Sequence, residues 1–201
     1  MGRTAEAPVL PPGSEQIAAW ARQRRFAYEG WPDQRWFRGW EPYDTMVSPE
    51  AWFNSVSWAL GPGSVTVAEP WLAPLDSEPL DRTLITFVTH PGFRRRAAAR
   101  GGEYFNTRVT FLENPPPPRV ELGDPVWDRA MATFAASASE ADAALPLGAR
   151  QLLASWGFSG HIEVRAGGLV VHFAGMQPVV GQIERLPGAV PSLVRALLGD
   201  R

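Results

Sequence analysis

The chain has 201 residues, 45% of them hydrophobic and 20% charged, with a formal net charge of −2. That supplies a sizeable core for one domain, or for two small ones sharing it, and gives no global attraction to nucleic acid or acidic membranes. The absence of cysteine excludes disulfides, thiolate metal sites and cysteine nucleophiles; no apolar run approaches the roughly 20 residues of a membrane span, and with no apolar leader in MGRTAEAPVLPPG the expected compartment is the cytoplasm.

Residues 1–13 read as a proline-rich arm, because Pro8, Pro11, Pro12 and Gly13 do not fit a helix interior. Ser14 then suits an N-cap, and the spacing of Ile17, Trp20, Ala21 and Tyr28 predicts a helix over 14–28, stopped by Gly30. Residues 31–47 are irregular and crowd Trp31, Trp36, Phe37, Trp40 and Tyr43 into one span, interleaved with Arg35 and Arg38. Alternation of Trp52, Val56, Trp58 and Leu60 against small polar residues favours a strand over 52–60, although Ser48-Pro49-Glu50 is also a good helix start. A second strand follows over 64–69, across the Gly-Pro-Gly loop.

TLITFVTH (83–90) and EYFNTRVTFLE (103–113) are β-rich, and the twelve residues between them are long for a hairpin. The NPPPP stretch (114–118) is a stiff spacer and the natural boundary between a half at 14–113 and a second at 119–201. Periodicity over 126–137 slightly favours a helix, with Trp127, Met131 and Phe134 on one face. Residues 138–157 read as helical, bent near Pro146 and ended by Gly157. HIEVRAGGLVVHF (161–173) predicts a hairpin with a primed turn at Gly167-Gly168, pairing Val164 with Val171 and Glu163 with His172. A last amphipathic helix is expected over 189–199.

Three groups of residues carry possible chemistry. On the polar side of the hairpin, His161 and His172 become diagonal neighbours with Glu163 beside them. Two imidazoles and a carboxylate suit zinc, or a histidine base held by the glutamate, and equally suit a solvated hairpin face. Arg94, Arg95, Arg96 and Arg100 put four guanidinium forks on one flexible tip, a candidate site for phosphate or carboxylate or simply a wet loop. The cluster is isolated in a net-acidic chain, which disfavours nucleic acid. Trp31, Arg35, Trp36, Arg38, Trp40 and Tyr43 combine the residue types of protein interfaces, and the same rings suit a core. No G-x-S-x-G elbow, Walker lysine, dinucleotide fingerprint, H-E-x-x-H or EF-hand loop is present.

The phrase GDPVWDRAMATFAASASEADAALPLGARQLLAS, followed by a Gly-Gly hairpin and a closing amphipathic helix, resembles in layout the C-terminal part of a family of uncharacterised bacterial proteins. NSVSWALGPGSVTV and the TLITFVTH…EYFNTRVTF pair resemble that family's first half. The resemblance implies strands at 52–60 and 126–136 and brings no activity or cofactor with it.

The expected fold is α+β, a mostly antiparallel sheet of six to eight short strands flanked by helices near 14–28, 138–156 and 189–199. The expected function is a non-enzymatic interaction protein, an accessory or structural subunit of a larger bacterial assembly with a protein partner and no cofactor. A small-ligand or anion-binding domain is the first alternative. A metal-dependent hydrolase on His161, Glu163 and His172 is the second.

Overall fold

A computed structural model describes residues 8–41, 48–75, 77, 79, 81–102 and 117–199. Helix α1 spans Ser14–Arg24. Its cap is Gly13, at φ 88, while Ser14 is the first helical residue and donates its hydroxyl to the Pro11 carbonyl at 2.7 Å. The helix ends earlier than the periodicity predicts, because Arg25 turns into the left-handed region at φ 60. Phe26 then stacks on Trp58 at 5.1 Å, which drops the chain into strand β1, Ala27–Glu29. Tyr28 therefore belongs to the sheet and not to the helix.

The aromatic segment is not wholly irregular. It holds a short helix α2, Gln34–Arg38, whose cap is the Asp33 carboxylate. Strands β2 (Ala51–Leu60) and β3 (Gly63–Trp71) form the expected hairpin. Strand β4 (Ile85–Thr89) is the centre of the TLITFVTH stretch. Strand β5 (Ala97–Gly101) falls where a flexible tip is expected. Its three alanines are buried, and methyl-sized side chains let neighbouring elements close on both faces, overriding the weak strand propensity of alanine. The strand predicted over 103–113, residues 114–116 of the spacer and residues 1–7 of the arm lie outside the described residues.

Strand β6 is Arg119–Val120. The ambiguous stretch at 126–137 divides. Helix α3 (Pro125–Ala130) is started by the Asp124 cap and a first-turn proline, and Met131 returns to extended backbone to begin β7 (Met131–Phe134). Pro146 breaks the next helix into α4 (Ala138–Ala144) and α5 (Leu147–Ser155). Strands β8 (Gly160–Arg165) and β9 (Gly168–Phe173) follow, then a one-turn helix α6 (Val180–Ile183) and α7 (Leu186–Leu198). Helix α7 starts earlier than expected and carries Pro191 in its interior.

All strand pairs are antiparallel, in the order β1-β2-β3-β4-β9-β8-β5-β7-β6. The α+β class holds, with nine described strands where six to eight are expected. One sheet face packs Val65, Val67, Val88, Ile162, Val164 and Val171 against the apolar stripes of α1, α4, α5 and α7. The other face carries Trp52, Ala68, Ile85, Phe87 and Val170, covered by Phe37 and Trp40. With helices on one side and the aromatic segment on the other, central strands have no wet face. No helix among the described residues is long and apolar enough to cross a membrane.

The β8–β9 hairpin has the predicted faces but a different register. His161 pairs with His172, Val164 with Leu169, and Arg165 with Gly168, so the turn residues are Ala166 and Gly167. Only Gly167 of the two has positive φ, at 78, so the turn is not of the expected primed type I′. The slip is two residues, which leaves every side chain on its predicted side.

Candidate functional site

The aromatic segment is pinned to the sheet by Gln34. Its amide donates to the Trp52 and Pro32 carbonyls at 3.0 and 2.8 Å, and its oxygen accepts from the Trp52 N–H at 2.7 Å. This places Phe37 flat on Trp52, with ring centroids 4.6 Å apart and planes 12° apart. Trp36 then meets Phe37, Trp40 and Phe87 at 4.8, 5.6 and 5.6 Å. The cluster is thus core and surface at once: Phe37 and Trp52 are buried, whereas Trp31 and Trp36 remain 39% and 38% exposed.

The charged neighbours hold this surface in shape. Arg35 pairs with Asp33 at 3.0 Å, both well exposed. Arg38 bonds Glu41 at 2.8 Å and the Pro49 carbonyl at 3.0 Å, clamping the two ends of the segment that contains Tyr43, itself outside the described residues. Trp40 accepts from Arg165 through its carbonyl at 2.8 Å, and the same guanidinium lies 5.8 Å from its ring centroid.

The histidine group is buried, which corrects the solvated-face reading. His161, His172 and Glu163 are almost fully enclosed, and Arg100 lies beside His161 in the adjacent strand, also buried. Burial depresses His172 to a pKa of about 4, with the neighbouring His161 adding to the effect. Its Nε2 and the Thr83 hydroxyl oxygen are 2.8 Å apart. Burial likewise pushes His161 down, against the opposing pull of Glu163 at 3.5 Å. Burial alone raises the Glu163 carboxyl, but its contacts with His161 and the Arg165 guanidinium outweigh that and bring it below its ordinary range. Among the described residues no three His, Asp or Glu side chains form a group that could hold a metal ion.

The arginine group does not share one tip. Arg100 is inside the sheet, on the face away from the helices, while Arg94 and Arg95 line a small cleft on the helix side. Arg95 pairs with Glu140 at 3.3 Å, and the Arg96 backbone N–H donates to the same carboxylate at 3.3 Å.

A further polar cluster was not legible as a site. Glu69 is fully buried in β3, held by Arg82 Nε at 2.5 Å, Arg82 Nη2 at 2.9 Å and Asn54 Nδ2 at 2.8 Å. Asn54 is at φ 51 in a bulge of β2, and its Oδ1 accepts from the Tyr28 hydroxyl at 2.8 Å. Arg82 also donates to the Pro12 carbonyl at 2.8 Å, tying the arm to the sheet. A glutamate inside the apolar run VTVAEPW was the available signal.

No family model matches the chain, and no curated protein matches it. Among solved structures, the crystal structure of the mycobacterial trehalose monomycolate transport factor A, TtfA, is similar over 94% of each chain, with a TM-score of 0.64 and 11% sequence identity. At that identity the likeness is one of fold.

Proposed function

We propose that this chain is a non-enzymatic accessory subunit that docks a protein partner on its aromatic face. The carrying observation is Trp36: its ring is held against Phe37, Trp40 and Phe87, yet it stays 38% exposed. A large ring fixed before binding loses little entropy on contact, and Trp with Arg is the composition of binding hot spots. Trp31, Arg35 and Arg38 are exposed residues of the same chain segment. The name of the fold relative TtfA, a transport factor, accords with an accessory role.

The test is native mass spectrometry of the protein purified gently from its own host, as wild type and as Trp36→Ala. A stoichiometric partner that is lost in the variant, with the variant's circular dichroism unchanged, supports the reading. A wild-type protein that runs alone, or a complex unaffected by the substitution, overturns it.

A further inference from the structure

Helix α5 and the loop leading into α3 are the two walls of a crevice of about 500 Å³. The loop wall is fixed by its own carboxylates. Gly123 turns the chain at φ 68, and the Leu122 and Asp124 N–H groups donate to Asp128 at 3.0 and 3.1 Å. Asp124 in turn accepts from the Val126 and Trp127 N–H groups at 3.2 Å each. The helix wall is one face of α5, where Leu147, Gln151 and Ala154 recur at helical spacing over about 10 Å. Apolar surface is open on both walls: Val126 is 70% exposed and Leu147 50%, with Pro125 and Ala154 also exposed.

Arg150 joins the two walls, and its side chain is only 5% exposed. Nε meets Asp124 at 3.3 Å, and Nη1 meets Asp142 and the Leu145 carbonyl at 2.7 Å each. That engages three of the five N–H groups of a guanidinium. The two on Nη2 have no partner among the described residues. Nη2 is not sealed from solvent, so these N–H groups open into the crevice that Arg150 lines. The Gln151 side-chain amide, exposed on the helix wall, also has no partner among the described residues.

We propose that this crevice binds a small uncharged amide with an apolar body of one or two rings. The carbonyl oxygen accepts from Arg150 Nη2, the amide N–H donates to the Gln151 oxygen, and the rings lie against Pro125, Val126 and Leu147. An anion is disfavoured, because three carboxylates bonded into these walls, Asp124, Asp128 and Asp142, stand against one guanidinium. A cation is disfavoured too, because Asp124 already accepts from two backbone N–H groups and from Arg150. A carbonyl takes the open N–H groups and brings no charge to desolvate. The volume falls within the roughly 300–1,000 Å³ of small-molecule pockets.

The test is titration of the full chain with three probes of one shape: cyclohexanecarboxamide, cyclohexanecarboxylate and cyclohexylmethylammonium. Calorimetry and NMR of backbone amides and arginine side chains follow the binding. The amide is expected to saturate below about 10 mM and to bind about tenfold more tightly than either charged probe. Its shifts should centre on residues 122–127 and 147–154. It should also shift the Arg150 guanidinium resonances and slow their exchange with water, which contact with the apolar rim alone would not do. Leu147→Ser and Gln151→Ala change exposed side chains, so each should leave the melting temperature unchanged and weaken the amide several-fold. Absence of saturation in that range overturns the proposal, as does a charged probe that binds as tightly as the amide. So do Arg150 signals that stay still while the rim shifts, or indifference to either substitution.

Discussion

The ring of Trp40 lies so close over Gly168 that a β-carbon there would stand 2.5 Å from its Cη2 atom. The two glycines of the β8–β9 hairpin thus have separate roles: Gly167 makes the turn with its positive φ, and Gly168 leaves room for a tryptophan from a segment far away in the chain. Trp40 has little freedom to retreat, since its carbonyl is bonded by Arg165 and its ring lies beside that guanidinium. Gly168→Ala is expected to destabilise the fold by about 1–3 kcal/mol through overpacking. The check is urea denaturation in two backgrounds. In Trp40→Ala the Gly168 substitution should become nearly neutral; equal cost in both backgrounds would place the clash elsewhere.

Acid should unfold this protein earlier than its surface charges alone would. His172 has a folded pKa of about 4 against an ordinary 6.5, so between those values the unfolded chain takes up a proton that the folded one refuses. Stability therefore falls as pH drops through this window, by about 3 kcal/mol for His172 by the time both states are protonated. His161, also depressed, acts in the same direction. Glu163, held below its ordinary range, contributes stability that is likewise lost on acidification. Denaturant midpoints at pH 7, 5.5 and 4.5 should fall in that order, and His172→Gln should flatten the trend. An unchanged slope in that variant would contradict the assignment.

Arg82→Ala would strand a fully buried carboxylate, Glu69, with only Asn54 among the described residues still bonded to it. Breaking one side of such a pair costs about 3–5 kcal/mol, whereas replacing both partners by apolar residues is far milder. Chemical denaturation of Arg82→Ala, Glu69→Leu and the double variant Glu69→Leu/Arg82→Ala should give a large coupling energy. Hydrogen exchange near Pro12 and Ser14 should also rise in Arg82→Ala, because the guanidinium bonds the Pro12 carbonyl.

Arg150 joins three partners at the break between α4 and α5: Asp124 at 3.3 Å, Asp142 at 2.7 Å and the Leu145 carbonyl at 2.7 Å. Its side chain is nearly buried, whereas Asp142 is largely exposed. Arg150→Met should cost about 2–4 kcal/mol, because it leaves a buried carbonyl and part of the Asp124 carboxylate unpaired. Asp142→Asn should cost under about 1 kcal/mol, as exposed pairs do. Comparable losses from both substitutions would show that the exposed carboxylate, and not the buried contacts, holds Arg150.

The arginine and histidine groups were the least legible parts of the chain. Arg94 and Arg100 are close in sequence, yet strand β5 begins between them and sends Arg100 into the sheet. The run RRRAAAR has neither strand propensity nor alternation, so only the burial of Ala97, Ala98 and Ala99 between neighbouring elements makes it extended. The end of α1 departs from its periodicity for a related reason: Tyr28 fits the helical spacing, but the left-handed turn at Arg25 and the stacking of Phe26 on Trp58 decide otherwise.

By itself the sequence determined the two faces of β8 and β9, the break at Pro146 and the apolar stripe of α7; it only favoured the β2 strand, whose alternation is interrupted by a bulge that puts Trp52 and Val56 on opposite faces. These depend on side-chain periodicity and on proline and glycine, which act over a few residues. Only the tertiary structure decided what covers each face. Alternation of Ile162 and Val164 with His161 and Glu163 says that the two sides differ, not that one is wet. Here Trp40 covers part of the polar side, and Glu163 answers Arg165 while His172 meets Thr83. A polar group can be buried when its partners are buried with it, and those partners come from positions too distant in the chain for any local pattern to reveal.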